Sequence, residues 1–215
     1  DDADNTISGD QFAQVTLTAV NGTISLNGIA GLDFTFVADA NGVGTGDGTA
    51  DAVMTFRGTL ADINAALAGL SFTPTSNFVG SASLNILTND LGNFGTGGTL
   101  ADSDTVLINV TGVNDVPVNG TPGPQTTPED VPLVFSTANG NAVSVGDVDD
   151  ADNAITGDQI VQVTLTAANG VITLGTLTGL DFAFTADGNG SPAGDGTADA
   201  TMTFRGSLAD VNAAL

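Results

Sequence analysis

"QVTLTAVNGTISL" occupies Gln14–Leu26, and "QVTLTAANGVITL" repeats it at Gln162–Leu174. Val15, Leu17 and Ala19 alternate with Thr16 and Thr18, and a period of two places the apolar set on one face of a strand. Val and Thr are β-branched and suit a pleated, half-buried surface. Asn21-Gly22 separates this run from Ile24 and Leu26. Asn-Gly between alternating runs is a short-hairpin signal, because both residues accept positive φ. The stretch reads as two antiparallel strands, and the chain as a β protein.

Further runs of the same kind lie outward from it: "LDFTFVA" (Leu32–Ala38), "AVMTFRG" (Ala52–Gly58), "LSFTP" (Leu70–Pro74), "SASLNILTN" (Ser81–Asn89), "DTVLINVTG" (Asp104–Gly112) and "VPLVFST" (Val131–Thr137). One stretch departs from alternation. In "TLADINAALAGL" (Thr59–Leu70), Leu60, Ile63, Leu67 and Leu70 recur at helical spacing, with Thr59 as N-cap and Gly69 as stop. About seven short strands per copy with regular turn signals indicate all-β architecture: tandem Greek-key β-sandwiches with one short helix per repeat.

The repeat extends beyond the opening stretch. Asp1–Leu67 returns without a gap as Asp149–Leu215, with about 70% of the paired positions identical at a spacing of 148 residues. That spacing is domain-sized, not a solenoid unit. "TGVNDVPVNGTPGPQTTPEDVP" (Thr111–Pro132) holds five of the seven prolines and reads as the linker. The expected division is residues 1–115, a repeat lacking its first strands, and residues 116–215, the front of the next. The chain opens inside a motif, so it is expected to be a piece of something longer.

Composition narrows the function. The 215 residues include 25 acidic and 2 basic ones, a formal charge of −23, with no Cys, His, Trp or Tyr. A hydrophobic fraction of 41% supports a core and argues against a disordered acidic tail. Without a Lys/Arg stripe, nucleic acid and anionic lipid would repel this surface. No run approaches the roughly 18 apolar residues of a transmembrane helix. Ser-His and Cys-His chemistry is excluded by composition, and paired carboxylates set in turns without aromatic sugar platforms do not resemble a glycosidase cleft. The chain reads as not an enzyme.

The acids are almost all aspartates; Glu129 is the lone glutamate. "DVDDADN" (Asp147–Asn153) places four carboxylates in seven residues, and "DDADN" opens the chain at Asp1–Asn5. Two carboxylates about 4 Å apart repel by roughly 1 kcal/mol in water and by several times that at a protein surface. A cation relieves this. Calcium takes oxygen ligands from carboxylates, Asn side chains and carbonyls in irregular geometry, whereas zinc and copper favour the absent His and Cys. Asp147 and Asp149 alternate, so an extended strand end would point them to one side.

Together "VTGVNDVPV", "TPEDVPLVFS", "VSVGDVDDADN", "VTLTAANGVITL", "GDGTADATMTFRGSLADVNAAL" and "LTNDLGNFGTGGTLADSDTVLINV" resemble the cadherin-like tandem repeats of large bacterial RTX surface adhesins secreted by type I systems. The resemblance covers essentially the whole chain. It implies a cadherin/immunoglobulin-like fold with calcium where one repeat meets the next. Asn114 and Asp115 would then be linker ligands, and Asp147 and Asp149 the Asp-x-Asp pair of the following repeat. Asp150, Asp152 and Asn153 would be further candidates in that loop. Glu129 matches the acidic position of the first strand, serving a site at the far end of its copy. Asp1, Asp2 and Asp4 correspond to Asp149, Asp150 and Asp152, with their own linker missing. The chain departs from animal cadherins in lacking their Asp-Arg-Glu motif and the full acidic linker run.

Other groups have competing readings. Asp90 and Asp104, in the last hairpin of the copy, are candidate ligands. "DANGVGTGDGTAD" (Asp39–Asp51) and "DGNGSPAGDGTAD" (Asp187–Asp199) superficially resemble an EF-hand loop, but the twelfth position is Ala50, not Glu. They read as solvated hairpin loops, with Asp47, Asp51, Asp195 and Asp199 as alternative ligands. Arg57 and Arg205 share one repeat position, and an intradomain ion pair to Asp62 or Asp210 is expected. The functional expectation is a calcium-rigidified structural repeat of an extracellular bacterial adhesin or fibre, contacting neighbouring repeats. The alternatives are a self-assembling filament subunit and a carbohydrate-binding module.

Overall fold

A computed structural model describes residues 12–92, 97–151 and 160–215, with backbone only at Asp150 and Ala151. The chain divides into two compact units, Asp1–Gly112 and Val113–Leu215. Regular structure is dominated by antiparallel strands, and the longest described helix has eight residues.

In unit 1 the order is β1 (Phe12–Val20), β2 (Gly22–Ser25), β3 (Val53–Thr59), α1 (Leu60–Leu67), β4 (Ser71–Pro74), β5 (Gly80–Asn89) and β6 (Ala101–Val110). Four strands form one sheet in the order β3-β1-β5-β6, all pairs antiparallel, and β2 pairs with β4 separately. The alternation of β1 places Val15 and Leu17 on the core face, where each is 1% exposed. They meet Ile24 of the small sheet, Met54 and Phe56 of β3, and Ile63 of α1. Burying side chains of this size contributes about 1.5–3 kcal/mol each. Phe34 packs tilted on Phe56, ring centroids 5.2 Å apart.

The Asn21-Gly22 hairpin is corrected. The chain turns there, but β2 leaves the sheet of β1 and pairs with β4. A two-residue type I′ turn needs positive φ at both central residues, and only Asn21 has it, at 61°. The Asn21 side chain instead donates to the Ser81 carbonyl at 3.0 Å. Gly22 is required for another reason: a Cβ there would overlap the Phe72 ring.

Helix α1 follows the expected signals. The Thr59 hydroxyl accepts from the Asp62 N–H at 3.2 Å and donates to the Asp62 carboxylate at 2.6 Å. The helix closes at Ala68, and Gly69 follows at φ 96°. The strand expected over Leu32–Ala38 is absent as a regular element. Asp33 and Thr45 form only isolated bridges to β3, and the Asp33 carboxylate accepts both the Thr35 N–H and hydroxyl. This local side-chain bonding competes with a ladder.

Unit 2 contains β7 (Val118–Gly120), β8 (Ser144–Gly146), α2 (Val148–Ala151), β9 (Ile160–Thr166), β10 (Thr201–Ser207) and α3 (Leu208–Ala214). β9 and β10 reproduce the register of β1 and β3: Gln162 opposes Arg205 as Gln14 opposes Arg57. The first strand of the unit is not Val131–Thr137 as expected. It is β7, inside the segment read as linker, and it pairs with β8. In Val131–Thr137 the backbone bonds go to side chains and to local turns instead: the Ser136 N–H donates to Asn141, the Val134 carbonyl accepts from the Asn139 and Asn141 amides, and the Ser136 carbonyl accepts the Asn139 and Asn141 N–H groups. Val131, Val134 and Phe135 stay exposed.

Candidate functional site

The linker acid and the acidic loop meet within unit 2. Asp147 ends the extended segment after β8, and its Oδ1 accepts the Asp149 N–H at 3.1 Å. This starts the single turn α2, so Asp149 is helical and not at an extended strand end, which corrects the same-side alternation of the Asp-x-Asp pair. The turn carries the Asp149 carboxylate to the linker, where Oδ2 accepts the Asp115 N–H at 2.6 Å. Asp147 and Asp149 are half-buried, while Asn114 and Asp115 are exposed. Asn114 donates to the Asp115 carbonyl at 3.1 Å. Four expected ligands, Asn114, Asp115, Asp147 and Asp149, therefore belong to one hydrogen-bonded chain.

They do not form a closed cage. Among the described residues, no group of three or more His, Cys, Asp or Glu side chains converges as a metal site. The donor set is nonetheless all hard oxygen, the chemistry calcium favours. The Asp150 backbone lies in α2, but its side chain is outside the described atoms, and Asp1, Asp2, Asp4, Asp152 and Asn153 lie outside the described residues.

The remaining acids are placed elsewhere. Glu129 stands in an exposed turn closed by the Val131 N–H to the Pro128 carbonyl at 3.3 Å, not in a strand. Asp90 closes the base of the loop between β5 and β6. Its Oδ1 accepts the N–H groups of Gly92 and Leu100, both at 2.8 Å, and the Leu100 bond foremost holds its carboxyl below the usual range. Asp104 lies four residues up β6 from Leu100, about 13 Å by strand rise, so these two carboxylates do not converge. In the Asp39–Asp51 loop, Asp51 Oδ2 accepts the N–H groups of Asp47 and Gly48, and Asp47 Oδ1 that of Thr49. Asp199 and Asp195 repeat this arrangement. These carboxylates organise their loops.

The arginines take different partners from those expected. Arg57 Nη2 donates to Asp39 at 2.7 Å and its Nε to Gln14 Oε1 at 3.0 Å, while the guanidinium lies 4.0 Å over the Phe36 ring. Arg205 repeats this with Asp187, Gln162 and Phe184. Strand pleating turns Arg57 toward Gln14 and the Asp39 loop, whereas Asp62 is engaged in the cap of α1.

Sequence reasoning missed a further polar device. Asn212 of α3 accepts the Val145 N–H at 2.9 Å and donates to the Val145 carbonyl at 2.8 Å, holding β8 by both backbone groups of one residue. The available signal was an Asn inside an otherwise apolar-periodic helix, where its intrinsic preference is poor.

No protein-family model, curated protein or solved structure matches the chain. Among the described residues no helix is long and apolar enough to cross a membrane.

Proposed function

We propose that the chain is a calcium-rigidified structural repeat of an extracellular adhesin or fibre, cadherin-like, with each repeat a Greek-key sandwich that extends or mediates cell-surface adhesion. The supporting observation is the 2.6 Å bond from the linker N–H of Asp115 to the Asp149 carboxylate, which brings the linker onto the acidic loop. Repetition of that loop at a domain-sized spacing of 148 residues supports a tandem array. Asn114, Asp115, Asp147 and Asp149 would hold the ion, with Asp150, Asp152 and Asn153 adjoining. Bound calcium supplies charge neutralisation and a shared centre for these oxygens. The residues themselves start the turn, orient Asp149 and tether the linker.

The test is thermal unfolding of the full chain in millimolar calcium, in a chelator, and in magnesium at equal ionic strength. Binding at about 100 times Kd stabilises by roughly 2.7 kcal/mol, a rise of about 5–10 °C in Tm for a chain of this size. The rise is expected with calcium only, and Asp149→Asn should reduce it. Equal melting in all three conditions would overturn the proposal.

A further inference from the structure

Seven asparagines of the chain are followed by glycine. An asparagine side-chain carbonyl stands one ring closure from the backbone nitrogen of the next residue, and glycine has no side chain to crowd that nitrogen. Six of the seven pairs are held away from this chemistry. The N–H groups of Gly42, Gly140 and Gly190 donate to the carbonyls of Asp39, Thr137 and Asp187 at 3.2, 3.1 and 3.1 Å. Asn119-Gly120 lies in β7 and is fixed by its ladder to β8. Asn21 and Asn169 turn at φ 61° and 60°, in the left-handed well where ψ is positive, whereas the cyclic imide holds the asparagine ψ negative.

Asn27-Gly28, in the loop after β2, meets none of these restraints. Neither residue is left-handed, and both are exposed. Among the described residues, neither the Asn27 side chain nor the Gly28 N–H has a hydrogen-bond partner. Nothing lies within 4 Å of the place a Cβ on Gly28 would take. The Asn27 N–H donates to the Ala66 carbonyl at 3.1 Å, which sets the residue at the end of α1 with its side chain beside Gly69. In unit 2, Gly175 makes the same bond to Ala214 at 2.8 Å and stays exposed while β8 is bonded to α3. A strand seated on the helix therefore leaves this loop open. Gly175-Thr176 stands there in place of Asn27-Gly28, so unit 2 has no reactive pair at this position.

We infer that Asn27 is a site of spontaneous intramolecular modification. The Gly28 nitrogen attacks the Asn27 Cγ. The N–Cγ bond forms, the Cγ–Nδ2 bond breaks, and Nδ2 leaves as ammonia with the proton of the Gly28 amide. Water then opens the five-membered imide at either carbonyl, leaving aspartate or its β-linked isomer. Only water enters, and nothing is oxidised or reduced. Either product adds a carboxylate at the C-terminus of α1, where the helix dipole is negative and the last turn holds no basic residue. The reaction loosens the junction of β2 and α1, and it runs one way. The inference rests neither on calcium nor on the reading of the chain as an adhesin repeat.

The test incubates the full chain in warm, mildly alkaline buffer, with and without urea. Aspartate and isoaspartate at each Asn-Gly are then measured by mass spectrometry of peptic fragments. Without urea Asn27 should convert first, outpacing Asn41, Asn139 and Asn189 severalfold, up to about 10-fold, the rate equivalent of one backbone hydrogen bond. In urea the seven rates should converge. Gly28→Ala enters open space at a position that is not left-handed, so the variant should fold and lose the conversion at Asn27 alone. Asn27→Asp should speed amide exchange at Ala68 and Leu70, which close α1, relative to Gly28→Ala. Conversion at Asn27 no faster than at the hydrogen-bonded pairs, a native ranking that persists in urea, or unchanged exchange at the end of α1 would overturn the inference.

Discussion

Arg57 is 17% exposed at its side chain and makes three different contacts through one planar group: a carboxylate, an amide oxygen and an aromatic face. Lysine keeps the charge but cannot aim two donors while stacking on Phe36. Arg57→Lys and Arg205→Lys are each expected to cost about 1–2 kcal/mol, from the lost bond to Gln and the lost stacking, measured by denaturant unfolding. The partners have a pH signature. The Asp39 carboxyl is held below its usual range first by the Arg57 bond and then by the Asn41 N–H, and Asp187 likewise by Arg205 and Asn189. Asp33 is lowered by Thr35. A folded pKa below the unfolded one means that the unfolded chain takes up protons first. This stabilisation is fully present above the ordinary carboxylate value and is lost as pH falls through it toward the folded value. Stability should therefore decline below about pH 4, and the decline should be shallower in Asp39→Asn/Asp187→Asn. An unchanged slope in that variant would count against the arginine pairing. The arginine pair was legible as intradomain, but not its partner. Asp62 is near in sequence, yet strand pleating and the helix cap direct the two side chains apart.

Among the elements, those with unopposed periodicity were legible. β1, β3, β5 and α1 have apolar spacing and end signals that agree. The α1 cap is expected to contribute about 1 kcal/mol, so Thr59→Ala should lower the midpoint of chemical unfolding by that equivalent. Elements were misread where side chains compete with the backbone. Asp33 and Thr35 bond to each other within Leu32–Ala38, and Asn139 and Asn141 take the Val134 carbonyl within the expected strand at Val131–Thr137. Neither competition leaves a mark in hydrophobic period. The turn at Asn21 was legible as a turn but not in its destination, because β2 is drawn to β4 by the burial of Ile24 and Phe72. The candidate metal loop was half legible: its acids stand together, but the turn that Asp147 starts depends on a side-chain bond two residues away. Neighbouring strands also decide protection. β1 is bonded to β3 and β5, whereas among the described residues β9 is bonded to β10 alone. Val15 and Leu17 are buried while Val163 and Leu165 are only half-buried. Hydrogen exchange should be slower at Leu17 than at Leu165; equal rates would mean that the β5 ladder adds no local stability.

For the whole molecule, a charge of −23 on 215 residues raises the question of whether any cation effect is specific. Diffuse screening and bound calcium differ in their dependence on concentration. Screening acts on all exposed carboxylates and follows ionic strength, with a Debye length near 30 Å at 0.01 M and 8 Å at 0.15 M. Raising sodium chloride over that range should increase Tm in the wild type and in Asp149→Asn alike, because the charge removed is one among many. Calcium added on top of 0.15 M salt should raise Tm further along a saturating curve in the wild type, and less in the variant. The linker bond makes Asp149 the discriminating position, since among the described residues its carboxylate is the one that links the acidic loop to the Asp115 backbone. If calcium and sodium chloride shift Tm equally at matched ionic strength, the aspartates act as a solvating surface. The tandem repetition would then require a stiffening device other than a shared ion.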